Sequence, residues 1–122
     1  MPYAYRKSER IRKNTEFVAT MKGKRLSIDG LSLFYTGNTT GNFRIGISVS
    51  KKVANAVGRN KLRRRIRDCI SRTLKRHTLG FDVVFVVRPQ LATADFDRIA
   101  RAVEAVLYRS VLRSQKTESA KP

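Results

Sequence analysis

The chain is short of acid. Its 122 residues hold nine Asp and Glu against 27 Lys and Arg, a formal net charge of +18. That imbalance exceeds what solubility requires and destabilises a compact state by self-repulsion, so it implies a polyanionic partner: nucleic acid or an anionic membrane. Long apolar runs are also missing. The longest lies near VVFVV, far below the roughly 20 residues needed to cross a bilayer, so no membrane partner is expected and nucleic acid remains. The opening MPYAYRKSER is charged with no apolar stretch after it, so no secretory signal is expected. There is one cysteine, Cys69, and one histidine, His77. A single cysteine excludes an intramolecular disulfide, and the pair is too few for a Cys/His metal cluster. A cytoplasmic location is the expectation. The acids are scattered, with only Asp95 and Asp97 close together, and both suit the first turn of a helix. A catalytic constellation within the chain is therefore not expected.

What is present reads as one domain, 1–122, with a basic flexible N-terminus over 1–9 and a disordered tail over 114–122. NTEFVATMKG predicts a short helix, capped by Asn14 or Thr15 and stopped near Gly23. RLSIDGLSLFYTG predicts a hairpin turning at Asp29 and Gly30. Leu31 and Leu33 then point one way and Ser32 and Phe34 the other. FRIGISVS predicts a third strand with Phe43, Ile45, Ile47 and Val49 on one face. FDVVFVV is apolar on both faces, as a central strand is, and Pro89 ends it. TADFDRIARAVEAVLYRSVL predicts an amphipathic helix capped by Thr93, with Phe96, Ile99, Val103, Val106, Leu107 and Val111 as its apolar stripe. The order α-β-β-β-α-β-α implies an α+β fold, a split α/β sandwich with a mixed sheet of about four strands.

The remaining segment concentrates the charge. Between Lys51 and Arg76 stand eleven basic residues and one acid, Asp68, a net of +10. On a helical wheel Leu62, Ile66, Cys69, Ile70 and Thr73 share one stripe, with Leu74 at its border. Arg64, Asp68, Ser71 and Lys75 fall opposite. Lys61, Arg65 and Arg72 take one flank, and Asn60, Arg63 and Arg67 the other. A merely solvated helix interleaves acids with bases at i,i+4. This one carries repulsion along its length, which bound phosphates would relieve. Arginine predominates, and its planar fork suits phosphate.

SVSKKVANAVGRNKLRRRIRD, from Ser48 to Asp68, resembles the signature of the bacterial ribonuclease P protein component. There a strand runs into Lys-Lys/Arg, a small residue, Ala-Val, and Arg-Asn-Arg/Lys-x-x-Lys/Arg-Arg. RIRKNTEF resembles the family's N-terminal segment, and FDVVFVVRP resembles its later strand with a terminal Arg. Two positions depart: Ala54 stands where the family often has Gly, and Met21 where it has a second aromatic.

The resemblance implies a ribosomal protein S5 domain 2-like fold, with parallel strands joined through the basic helix by a left-handed crossover, against the usual right-handed rule. It implies a subunit that binds a catalytic RNA and precursor tRNA and assists removal of the 5′ leader. By that resemblance the catalysis and its Mg²⁺ belong to the RNA, and the protein is a monomer in a 1:1 ribonucleoprotein. It assigns catalytic-RNA contacts to Lys51, Lys52, Asn55, Arg59, Asn60, Lys61, Arg63, Arg64 and Arg67. It assigns leader contacts to Phe17, Met21 and Phe34, with Arg44 and Arg88 holding leader phosphates. No residue of the chain is assigned to catalysis or to a metal. A ribosomal or other structural RNA-binding protein is the alternative, and a self-sufficient nuclease a third.

Overall fold

The computed structural model describes Ile11 and residues 14–38, 43–74 and 80–112. The elements are α1 (Asn14–Met21), β1 (Lys24–Ile28), β2 (Leu31–Gly37), β3 (Arg44–Val49), α2 (Ala56–Thr73), β4 (Phe81–Val87) and α3 (Phe96–Tyr108). The expected order is the observed one. The N-terminal stretch 1–9, His77 and the tail 114–122 lie outside the described residues.

The sheet order is β1-β2-β4-β3. β1 with β2 and β2 with β4 are antiparallel, while β3 and β4 are parallel and joined through α2. The doubly apolar β4 is thus interior, as its composition demands. Asp29 (φ +50°) and Gly30 (φ +82°) both adopt the left-handed backbone that a two-residue type I′ turn needs. That turn fixes the register, with Ile28 opposite Leu31 and Arg25 opposite Phe34. Arg98 forks onto the Asp29 carboxylate at 2.9 and 2.8 Å and so ties the hairpin to α3. This hydrogen bonding holds the Asp29 carboxyl below its ordinary range.

Strand alternation gives the sheet two different faces. Leu31, Leu33, Ile45, Val49, Val83, Phe85 and Val87 are buried on one, under α2 and α3. α2 contributes Leu62, Ile66, Cys69, Ile70 and Leu74, the stripe its wheel predicts apart from the half-buried Thr73. α3 contributes Ile99, Val103, Val106 and Leu107, and Val111 and Leu112 beyond its end complete the core. α1 lies on the other face, across β2 and β4.

Three local expectations need correction. Asn14 and Thr15 are the first two residues of α1, inside the helix rather than before it; Phe17 lies on Gly46 and Glu16 pairs with Arg44, which holds this turn on the sheet. The cap of α3 is Asp95, whose carboxylate accepts from the Arg98 N–H at 2.8 Å, and not Thr93. A 3-10 turn at Pro89–Leu91 and the tight turn after it bury Leu91 and Ala94, and they use up the chain to that point. Ser71, placed on the solvent side by the wheel, is buried. α2 packs on α3 as well as on the sheet.

Candidate nucleic-acid interface

The first candidate surface is the outside of α2 and the turn leading into it. Val53 is buried and anchors that turn, leaving Lys51 and Lys52 exposed beside it. Asn55 caps the helix: its Oδ1 accepts from the Gly58 N–H at 2.9 Å. The Arg59 guanidinium donates back to the Ala54 carbonyl at 3.0 Å, so this arginine is held against the turn. Asn60 is exposed, and its Oδ1 accepts from Arg63 Nη1 at 3.1 Å. The amide therefore sets the Arg63 fork rather than a buried contact. Lys61 and Arg64 are exposed and Arg67 is half-buried. On the far flank Arg72 pairs with Asp68 at 3.0 Å and lies over the Phe96 ring at 5.3 Å. The helix thus presents a fan of guanidinium groups whose apolar underside is fixed in the core.

The second candidate surface is the opposite face of the sheet. Pairing aligns Arg25, Phe34, Val84 and Gly46 in one row across all four strands. At one end of the row Phe17 lies on Gly46: a Cβ at that glycine would meet the ring at 2.7 Å. Val84 is fully buried in the middle. Phe34 is half-open, with the Arg25 guanidinium 5.6 Å from its ring centroid. Strand spacing of about 4.8 Å puts Phe34 about 10 Å from Gly46. The result is a shallow trough with an apolar floor, walled by α1 on one side and by Arg25 on the other. The adjacent row is polar: the Ser27 and Ser32 hydroxyls meet at 2.7 Å. Met21 (42% exposed) and Val18 (45%) stand on the solvent side of α1.

The two arginines assigned to leader phosphates are not brought together. Arg44 starts β3 and Arg88 follows the end of its parallel neighbour β4, so they stand at opposite ends of the sheet. Arg44 is paired with Glu16 of α1 and with Asp82 at 3.6 Å. It clamps α1 to the sheet, and much of its charge is already met. Arg88 is exposed, and its backbone N–H donates to the Gly30 carbonyl at 2.9 Å.

Five of the described carboxylates have partners within the chain. Glu16, Asp29, Asp68 and Asp82 each face an arginine, and Asp95 caps α3. Among the described residues no three Asp, Glu, His or Cys side chains converge. Burial pushes the Cys69 thiol up to about 11, so it is a neutral core group at physiological pH.

The family model for ribonuclease P matches residues 5–111. The chain belongs to the ribonuclease P protein family. It is 37% identical over 102 residues to the ribonuclease P protein component of Desulfotalea psychrophila, covering 83% of this chain and 85% of that one. The Staphylococcus aureus ribonuclease P protein superposes with a TM-score of 0.78 at 34% identity, covering 85% of this chain and 96% of the other. The Thermotoga maritima protein gives a TM-score of 0.75 at 30% identity, covering 82% and 96%.

Against the ribonuclease P pattern, the Ala54 departure has a local explanation. Among the described residues Asp29 is the one non-glycine at positive φ, so Ala54 needs no glycine backbone. Its methyl occupies the space left by Gly58, where an added Cβ would come within 2.9 Å of it. Two contributors to the trough were missed from sequence, Arg25 and Gly46. The Asp29-Gly30 turn already places Arg25 opposite Phe34, so the signal for Arg25 was present in the hairpin. Nothing in the strand pattern distinguishes Gly46; its role comes from Phe17 of α1 lying against it. No helix among the described residues is long and apolar enough to cross a membrane.

Proposed function

We propose that this chain, as the protein component of ribonuclease P, binds RNA on two opposite sides of its sheet. The outer surface of α2, with Lys51 and Lys52, docks the catalytic RNA. The trough between α1 and the β1–β2 hairpin holds the single-stranded 5′ leader of precursor tRNA. The observation that carries this reading is the row Arg25–Phe34–Val84–Gly46 with Phe17 seated at its end. A half-open aromatic flanked by a cation accepts any base by stacking. That property suits a subunit whose substrates differ in leader sequence. In this reading the hydrolysis and its Mg²⁺ belong to the RNA, one protein serves one RNA, and the protein contributes affinity and orientation. Support for that division comes from five of the described carboxylates, Glu16, Asp29, Asp68, Asp82 and Asp95, which are engaged by arginines or by a helix cap.

Stacking on an aromatic is worth about 1–3 kcal/mol per base. Phe34→Ala should therefore weaken precursor binding by the holoenzyme about 5- to 150-fold while sparing mature tRNA. Equal losses on both substrates would remove the leader from this trough. Leader cleavage should require the cognate RNA; cleavage by the protein alone would move the chemistry into this chain.

A further inference from the structure

One concave basic feature belongs to neither surface. A cavity of about 630 Å³ opens where β1 begins and β2 ends. Lys22 reaches it from the α1–β1 turn, Lys24 from the start of β1, Tyr35 from β2, Phe81 from the start of β4, and Arg109 from the end of α3. Among the described residues no acid lines it. Among the described residues the three cationic side chains have no ion-pair partner, whereas Arg44, Arg72 and Arg98 each pair with a carboxylate. Three unneutralised cations from two separate segments repel one another unless an anion sits between them. The Tyr35 and Phe81 rings meet edge to face, with centroids 6.3 Å apart and planes at 64°, and give the cavity an aromatic wall. Its volume lies within the range of pockets that take a small organic ligand.

The cavity is separate from the trough but adjoins it. Tyr35 is on the face of β2 opposite Phe34. The α1–β1 turn lies directly on this strand, since a Cβ at Gly23 would meet the Tyr35 carbonyl at 2.5 Å. Lys22 follows Met21 at the end of α1. Lys24 is paired with Tyr35 and shares its face, so a strand leaving the trough at the end of α1 meets Lys22 first and Lys24 on turning round the edge of the sheet.

We propose that this cavity takes one nucleotide of single-stranded RNA, its phosphate on Lys22, Lys24 and Arg109 and its base against Tyr35 and Phe81. It extends the leader track beyond the aromatic trough. The inference rests on the leader reading of that trough, and the experiment separates the two.

Holoenzyme is assembled from the full chain and its catalytic RNA, and precursor affinity is measured for leaders of increasing length. Lys24→Gln and Arg109→Gln each remove one charge at the cavity, and Arg101→Gln removes one from the exposed side of α3. With short leaders all three should behave alike. Once the leader is long enough to reach the cavity, the two cavity variants should lose about tenfold in affinity, the scale of one charge-assisted contact, while Arg101→Gln does not. Losses that match Arg101→Gln at every length would overturn the proposal. So would weakened assembly with the catalytic RNA that is independent of leader length, which would assign the cavity to that RNA. Phe34→Ala, measured in parallel, should act on short leaders as well. If it has no effect while the cavity variants keep their length dependence, the trough reading fails and the cavity stands.

Discussion

A single methyl at Gly46 should dislodge Phe17 and, with it, one wall of the trough. The Cβ of Gly46→Ala would fall 2.7 Å from Cζ and 2.8 Å from Cε1 of Phe17. Ordinary carbon contacts are about 3.5–4.0 Å, so the ring must retreat by about 1 Å. The strand cannot yield instead, because Gly46 is paired with Val84 in the parallel ladder. Ile11, 3.4 Å from the same Cβ, limits sideways escape, and its N–H is bonded to the Ile45 carbonyl at 2.8 Å. Overpacking of this kind costs about 1–3 kcal/mol. The assay is a double-mutant cycle by urea unfolding with Gly46→Ala, Phe17→Ala and the pair. Removing the ring removes the clash, so Gly46→Ala should be close to neutral in the Phe17→Ala background, a coupling of about 1–2 kcal/mol. Gly46→Ala should also weaken precursor binding while leaving affinity for the catalytic RNA unchanged, because α2 lies across the sheet. Additive costs would refute the seating of Phe17 on Gly46. Equal losses for both RNAs would refute the independence of the two faces.

Further outcomes follow from the same geometry. Gly58→Ala should destabilise the fold by about 1–3 kcal/mol through contact with the Ala54 methyl, and Ala54→Gly should rescue most of it; absence of rescue in thermal melts would break the pairing. Arg64→Ala should lower the salt dependence of catalytic-RNA binding by a slope of up to about 0.9; an unchanged slope for this variant and Arg63→Ala would move the interface off α2. The raised Cys69 pKa favours the neutral thiol in the folded state. Its contribution to stability is complete below the unfolded thiol pKa and declines as pH rises from about 9 towards 11. At pH 8 a thiol reagent should therefore label Cys69 only through unfolding; labelling of native protein at the rate of a free thiol would contradict its burial.

The architecture was legible because local and global signals agreed. The Asp29-Gly30 turn, the two-sided FDVVFVV run and the α2 wheel each specify one arrangement, and the chain adopts it. The errors lie where tertiary packing decides. Thr93 is a good capping residue by type, yet burial of Leu91 and Ala94 shifts the start of α3 to Phe96. Ser71 is polar and lies opposite the apolar stripe of the wheel, yet it is buried. For the interface, residue type and wheel position pointed to the cations of α2. Periodicity pointed to Phe34, because its neighbours Leu31 and Leu33 had to face the core. Pairings between distant segments could not be read this way. Arg44 with Glu16 and Asp82, and Phe17 on Gly46, depend on where α1 docks. α1 is short and has no strong apolar stripe to announce its orientation.

In the proposed arrangement the sheet separates the catalytic RNA from the leader. The most direct measurement replaces Phe34 with a photoreactive phenylalanine analogue in one protein and Arg64 in another. Each is assembled with the catalytic RNA and a precursor tRNA, irradiated, and the attached nucleotide is mapped. Position 34 should join to the 5′ leader and position 64 to the catalytic RNA. Attachment of position 34 to the catalytic RNA, or of position 64 to the leader, would contradict the two-faced arrangement.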